Sequence, residues 1–143
     1  MYFLQLSYSL ILNTTLRFVS FTRRQFALPG MVDMKQLRIQ IALDDFGTGY
    51  SNLMNISNLE PDIVKLDRGF TLKALSRSYE YQLMQYVIEM VHKLNQYVCV
   101  EGVETKEDLE KIKALGPDLI QGYYYSKPCS RNEFLKKFFC YSE

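Results

Sequence analysis

The chain has 143 residues, of which 48% are hydrophobic and 23% charged, and its formal net charge is +1 at pH 7. This composition is typical of one globular domain, and it offers no basic footprint for a nucleic acid polymer or a membrane surface. The three cysteines show no CxxC or Cys/His spacing, which argues against a disulfide framework or a zinc site and favours a reducing cytoplasm.

The first predicted element is a β-strand at residues 2–12. Leu4, Leu6, Tyr8 and Leu10 alternate with other residues, which is the period of a half-buried strand. The apolar stretch is shorter than the ~20 residues of a membrane span, and it lacks the basic region and cleavage site of a signal peptide. We therefore expect a cytoplasmic chain without a membrane anchor.

From residue 39 onward, short apolar runs alternate with helical segments. The runs are apolar at successive positions, which is typical of parallel strands buried on both faces. The predicted strands are Ile39–Leu43, Ile63–Leu66, Tyr97–Val100 and Leu119–Ile120. The predicted helices are Glu80–Asn95, a helix capped by Thr105 and Asp108 that ends at Gly116-Pro117, and a helix capped by Ser130 and Glu133. This alternation with short connections predicts a parallel α/β sheet.

Polar side chains stand at or near the carboxyl end of each predicted strand. They are Asp44 and Asp45, Lys65 and Asp67, Glu101, and Gln121. In a parallel barrel the carboxyl ends of all strands open on one face, where active sites are built. We therefore expect these side chains to meet at one rim.

The carboxylates of this rim predict a site for a hard cation. Asp44 and Asp45 are adjacent like charges, so a positive group is expected between them. Together with Glu101 they offer oxygen ligands without His or Cys, which suits Mg²⁺ or Mn²⁺ and the phosphoryl chemistry that such ions assist. Lys65 either holds water or a phosphate oxygen, or forms a buried ion pair with Asp67 or Asp45. The residues alone leave both interpretations open.

Four stretches in order, IALDDFGTGYSNL, EPDIVKLD, CVEGVET and DLIQGYYYSKP, closely resemble the second half of the EAL domain. That family consists of bacterial phosphodiesterases that hydrolyse cyclic di-GMP to linear pGpG on a TIM-like (β/α)8 barrel. The resemblance implies parallel βα repeats forming the second half of an incomplete EAL barrel. It divides the chain into a poorly matched segment, 1–35, and a partial EAL domain, 36–143.

The resemblance also implies a role for each residue that could take part in catalysis. Asp44 would bridge two Mg²⁺ or Mn²⁺ ions, and Asp45 would bind the second ion. Glu101 would act as a metal ligand or as a general base. Lys65 would contact the catalytic water and the phosphate, and Gln121 would orient water. The implied ligand is cyclic di-GMP.

Two further residues are implied to support the site. Asp67 would stand beside the catalytic lysine. Glu104 would anchor the loop Gly47–Asn52, which in relatives couples dimerisation to activity. A second copy of the chain is therefore an implied partner. Because the resemblance covers only the second half of the barrel, a separate N-terminal half is the other.

The chain departs from the family pattern upstream of its matching motifs. It has no glutamate before Glu60 and no Glu-Ala-Leu motif, so the first-half metal ligands are missing. LILNTT, residues 10–15, is a candidate for the preceding strand, with Asn13 in the place of a ligating Glu. A (β/α)8 barrel needs ~250 residues. We therefore expect a truncated domain with impaired hydrolysis, the alternative being a catalytically inactive remnant that binds a nucleotide or a protein.

Overall fold

The computed structural model describes residues 17–21, 39–48 and 53–139, over which parallel strands alternate with α-helices. The strands are β1 (Arg17–Phe21), β2 (Ile39–Phe46), β3 (Ile63–Leu66), β4 (Tyr97–Glu101) and β5 (Leu119–Gln121). The helices are α1 (Leu53–Leu59), α2 (Arg68–Ser76), α3 (Ser78–Lys93), α4 (Lys106–Lys113) and α5 (Arg131–Phe139). The strand expected at 2–12 and the stretch LILNTT lie outside the described residues.

The strands form one sheet whose spatial order is the chain order, β1-β2-β3-β4-β5, and every pairing is parallel. Each strand–helix unit thus adds its strand beside the previous one, which is the winding of a (β/α)8 barrel. The predicted parallel α/β fold is confirmed: over the described residues the sheet is open and corresponds to part of a TIM-like barrel. β1 is a strand that the sequence analysis did not predict.

The two faces of the sheet bury different sets of side chains. One face packs against the helices and carries the main core, which includes Leu43, Val64, Val100 and Ile120 from the strands and Met84, Ile88, Val91 and Ile112 from the helices. The other face carries a small apolar cluster of Ala42, Ile63 and Cys99, with Leu119 packed against it. Both faces of the sheet are apolar, which is why the strands are hydrophobic at successive positions. The prediction that the strands are buried on both faces is confirmed.

The predicted polar side chains stand on the same face of the sheet as the small apolar cluster. Successive side chains alternate between the faces of a strand. The predicted site residues on β2, β3, β4 and β5 each follow a cluster member by two positions: Asp44 after Ala42, Lys65 after Ile63, Glu101 after Cys99, and Gln121 after Leu119. All four therefore lie on the cluster face, nearer the carboxyl ends of the strands.

Helices α4 and α5 begin at the capping residues predicted for them. Thr105 Oγ1 accepts the Asp108 amide at 3.1 Å, and Asp108 Oδ2 accepts the Thr105 amide at 3.1 Å, so the capping box before α4 is confirmed. Ser130 Oγ accepts the Glu133 amide at 3.3 Å ahead of α5, as predicted. The longest helix, α3, begins and ends two residues earlier than Glu80–Asn95. Within the described part of the chain, no helix combines the length and apolar character needed to cross a bilayer.

At the amino ends of the strands, an aspartate that follows a proline forms a hydrogen bond to the neighbouring strand. This arrangement occurs twice. Asp62 Oδ2, just before β3, accepts the Ile41 amide of β2 at 2.6 Å. Asp118 Oδ2, just before β5, accepts the Val98 amide of β4 at 2.8 Å and contacts His92 Nε2 at 2.9 Å. Charged acceptors make strong hydrogen bonds to backbone amides, so these aspartates help to set the register of the strands.

Candidate active site at the carboxyl ends of the strands

Lys65 lies at the centre of the polar residues on three neighbouring strands. Its side chain is only 7% exposed. Nζ donates to Asp44 Oδ1 at 3.0 Å on one side and pairs with Glu101 Oε1 at 2.5 Å on the other. The expectation of a buried ion pair at Lys65 was therefore wrong in its partners. The register explains the choice, because Lys65 and the two carboxylates share one face of adjacent strands.

The two carboxylates keep the buried lysine in its charged form. Burial by itself disfavours the ammonium, but the charges of Glu101 and Asp44 and their hydrogen bonds to Nζ outweigh it and raise the pKa of Lys65 above its ordinary value. The ammonium is therefore present at neutral pH. It supplies the positive charge that the acidic strand ends require.

Glu101 holds its proton more tightly than an exposed glutamate does. Burial is the largest cause and raises the pKa of Glu101, and the negative charges of Asp44 and Asp45 add to it, while Lys65 acts in the opposite direction. A carboxylate with a raised pKa is a stronger base at neutral pH than an ordinary one. This property suits a group that accepts a proton from water.

An irregularity in the pairing of β2 lies at the two adjacent aspartates. The pairing of β2 with β3 shifts register between Leu43 and Phe46, and Asp45 adopts a left-handed φ of 57°. Bulges at barrel rims redirect side chains, and Asp tolerates this conformation better than most residues. The Asp45 amide donates to Asp44 Oδ1 at 3.1 Å. Burial, then the charges of Asp44 and Asp67, raise the pKa of Asp45.

The three remaining predicted site residues, Asp67, Glu104 and Gln121, take different positions. Asp67 is the N-cap of α2, with Oδ1 accepting the Gly69 amide at 2.7 Å. Glu104 Oε1 accepts from Arg68 Nη2 at 2.7 Å and Nε at 3.1 Å. Gln121 lies beside Glu101 in the β4–β5 register, and its Oε1 is buried without a hydrogen-bond partner among the described residues. The predicted contact of Glu104 with the loop after Asp45 stays a prediction, since residues 49–52 lie outside the description.

Arg68 is the residue that the sequence analysis missed. It stands three residues after Lys65 as Glu104 stands three residues after Glu101, so the same two chain segments are joined by a second ion pair. That equal spacing was visible in the sequence. Its meaning depends on the pairing of β3 with β4, which only the structure gives.

The donor chemistry of the rim fits a hard divalent ion, although the described residues do not form a complete site. Asp44, Asp45 and Glu101 offer the carboxylate oxygens that Mg²⁺ and Mn²⁺ prefer. Among residues 39–48 and 53–139, however, no group of three or more His, Cys, Asp or Glu side chains is arranged to hold a metal. The positive charge between Asp44 and Glu101 is the ammonium of Lys65. The three predicted ligands therefore stay a prediction.

Comparison with known proteins places these residues in a family. The family model described as "EAL domain" matches residues 5–128. The cyclic di-GMP phosphodiesterase NbdA of Pseudomonas aeruginosa is 33% identical over 114 residues, which are 78% of this chain and 15% of that protein. An EAL domain protein from Listeria monocytogenes has a TM-score of 0.79 at 30% identity, covering 87% of this chain and 51% of that one.

A further solved structure includes the nucleotide. A standalone EAL protein from Vibrio cholerae in its c-di-GMP bound form has a TM-score of 0.67 at 30% identity, covering 77% of this chain and 48% of that one. The chain thus spans about half the length of the two solved proteins and a smaller share of NbdA. The match extends over most of its length, and its motifs lie on the strands that carry the acidic rim. The chain belongs to the EAL domain family and is related to cyclic di-GMP phosphodiesterases.

Proposed function

We propose that this chain binds cyclic di-GMP and carries part of a metal-dependent phosphodiesterase site that hydrolyses it to pGpG. The observation that supports the proposal most is the arrangement around Lys65. A buried ammonium stands between the acids of two neighbouring strand ends, in a chain whose relatives include c-di-GMP phosphodiesterases.

In this proposal each residue has a defined role in the hydrolysis of one phosphodiester bond. Asp44, Asp45 and Glu101 would hold Mg²⁺ or Mn²⁺, and a bound divalent ion would polarise the phosphate and activate water. Lys65 stabilises negative charge on a phosphate oxygen. Glu101 accepts the proton that water loses as its oxygen bonds to phosphorus. The ester P–O bond opposite the entering water breaks at the same time, and the departing ribose oxygen takes up a proton from solvent. Gln121 orients that water through its amide.

The proposed activity of this chain by itself is low. The family's Glu-Ala-Leu motif is absent from its 143 residues, and metal affinity depends on the number and charge of the ligands. Carboxylates from a second copy, or from a separate first-half chain, would complete the ligand set. Measuring the molar mass in solution with and without cyclic di-GMP and Mn²⁺ tests this, because completion by a second copy requires a dimer.

A second candidate function is a catalytically inactive module that binds nucleotide or protein. The ion pairs favour it, because Lys65 already balances the charge of Asp44 and Glu101 without a metal. Such a module would bind cyclic di-GMP with the same affinity in EDTA as in Mn²⁺. It would form no pGpG.

The deciding experiment follows the conversion of cyclic di-GMP to pGpG by chromatography, in Mn²⁺ and then in EDTA. We expect slow, metal-dependent turnover that Asp44→Ala abolishes. The matched control is Glu110→Ala, which removes a carboxylate that is 64% exposed and lies on α4. Binding without turnover, from a sample with a cooperative melt, would overturn the hydrolytic proposal and leave the binding module.

The proposed location is the cytoplasm. Cys99 and Cys129 are both free thiols, which fits a reducing compartment. Expression of the chain with a fluorescent fusion, followed by cell fractionation, tests this. Recovery in the membrane fraction would contradict it.

A further inference from the structure

Two ion pairs of the same spacing join the chain segments that leave β3 and β4. The inner pair, Lys65–Glu101, is buried. The outer pair, Arg68–Glu104, lies three residues further along both segments and is exposed to solvent. The inner pair belongs to the candidate site. No step of the proposed reaction is assigned to the outer pair, although Glu104 is also the predicted anchor of the loop after Asp45.

The hydrogen bonds of the outer pair fix the orientation of the Arg68 guanidinium as well as its distance from Glu104. Arg68 donates to the same oxygen, Glu104 Oε1, through Nη2 at 2.7 Å and Nε at 3.1 Å. The two donors restrict the orientation of the guanidinium. The backbone of Arg68 is held as well, because it is the first residue of α2 and follows the N-cap Asp67.

The side chain of Arg68 also lies against the turn that follows Glu101. Gly102 has a φ of +82°, and a Cβ there would overlap Arg68 Cγ and lie 3.0 Å from Arg68 Cα. The turn and the arginine stem are therefore in direct contact. The next residue but one is Glu104, so Arg68 contacts the segment at two points within three residues of Glu101.

We propose that Arg68 is a positioning residue, which holds the Glu101 carboxylate against Lys65 by fixing the Gly102 turn through Glu104. The catalytic consequence rests on the proposed function, whereas the structural consequence does not. An exposed ion pair contributes little to stability, but a displacement of about 1 Å at a reacting group lowers turnover by up to about a hundredfold. Arg68 therefore acts on the geometry of the site more than on the fold.

The first test needs no turnover. The variants are Arg68→Met, Glu104→Gln and the double variant, and the readout is the NMR resonance of the Lys65 ammonium. We expect both single variants to shift this resonance in the same direction and the double variant to shift it no further. Arg77→Met is the matched control, because Arg77 forms an exposed ion pair with Glu80 on α3. An unchanged Lys65 resonance in both single variants would overturn the proposal, whether or not the wild type hydrolyses cyclic di-GMP.

The second test uses turnover and separates positioning from contact with the nucleotide. We expect Arg68→Met and Glu104→Gln to lower kcat by about tenfold or more, with KM changed by less than about twofold. Arg68→Lys should restore part of kcat, because lysine keeps the charge but loses the planar fork. A raised KM in Arg68→Met, with Glu104→Gln unaffected, would show that Arg68 contacts the nucleotide itself and would overturn the positioning role.

Discussion

At the scale of single residues, the Lys65 ammonium connects two carboxylates that would otherwise repel each other. Replacing it by Met keeps the length of the side chain and removes the charge. The acids retain some solvent contact, so we expect Lys65→Met to lower the free energy of unfolding by about 3 kcal/mol, the lower end for breaking a buried pair. Urea unfolding at pH 7 in EDTA measures it. Lys113→Met, at an exposed pair on α4, should change this free energy by less than about 0.5 kcal/mol.

The same variant should show a dependence on pH. Glu101 has a raised pKa in the folded protein, and loss of Lys65 removes the charge that opposes this rise. A carboxyl whose folded pKa lies above its unfolded value favours folding at low pH, and that contribution is lost as pH rises through the folded pKa. The stability difference between Lys65→Met and wild type should therefore shrink as pH falls from 7 towards 5. A difference independent of pH would contradict this electrostatic account.

Thiol reactivity gives a second prediction at this scale. Burial raises the pKa of Cys99 to about 12, and only the thiolate reacts. Cys129 is partly exposed. In a Cys140→Ser background, a thiol reagent at pH 8 should modify Cys129 rapidly and Cys99 only after denaturation. The control is Cys129→Ser in the same background, and rapid labelling of that protein would contradict the burial of Cys99.

The sequence predicted which residues would meet at the rim but not how they pair. Asp44, Lys65 and Glu101 converge because parallel strands end on one side, and that rule needs only the order of the motifs. The partners of Lys65 depend on the strand register and on the bulge at Asp45. Neither leaves a signal in hydrophobic periodicity.

At the scale of elements, the connection between β4 and β5 is held by close backbone contact at Gly122. A Cβ there would overlap the Val103 carbonyl oxygen and lie 2.5 Å from Val103 N. Both groups already form backbone hydrogen bonds. Val103 N donates to Gln121 O at 3.3 Å, and Val103 O accepts the Tyr124 amide at 3.1 Å. Backbone hydrogen bonds and close contact therefore join the segments that follow β4 and β5.

Gly122→Ala should consequently be far more damaging than another glycine substitution. Overpacking against backbone costs about 3 kcal/mol, so we expect a loss of that order in denaturant unfolding. Gly116→Ala is the matched control. Its Cβ would meet nothing within 4 Å, and only its φ of +73° opposes the change, at about 1 kcal/mol. Equal losses in the two variants would contradict the close approach.

Element boundaries show where sequence patterns predict well. The capping box of α4 and the bounds of β3 agree with the prediction, because both depend on short local signals. β1 was missed because Arg17–Phe21 mixes polar and apolar residues and lies upstream of the recognisable motifs. It is a strand because β2 offers it a parallel partner along its full length.

At the scale of the whole molecule, binding of an ion or a nucleotide at the polar rim would stabilise the fold. An ion or nucleotide that binds only the folded state stabilises it by mass action, by about 2.7 kcal/mol at a hundredfold excess over Kd. Asp44, Lys65 and Glu101 lie on separate strands, so a ligand that contacts them resists separation of the sheet. Stability would therefore report binding even if turnover were slow.

We accordingly expect Mn²⁺ and cyclic di-GMP together to raise Tm more than the sum of their separate effects, because bound phosphate would add to an incomplete carboxylate set. Mn²⁺ alone should raise it little, since Lys65 already balances Asp44 and Glu101. Asp44→Asn should remove the joint effect, while Glu110→Gln on α4 should preserve it. Thermal unfolding with each ligand alone, with both and with EDTA measures this. Purely additive shifts would show that metal and nucleotide bind independently, which contradicts a shared site at the strand ends.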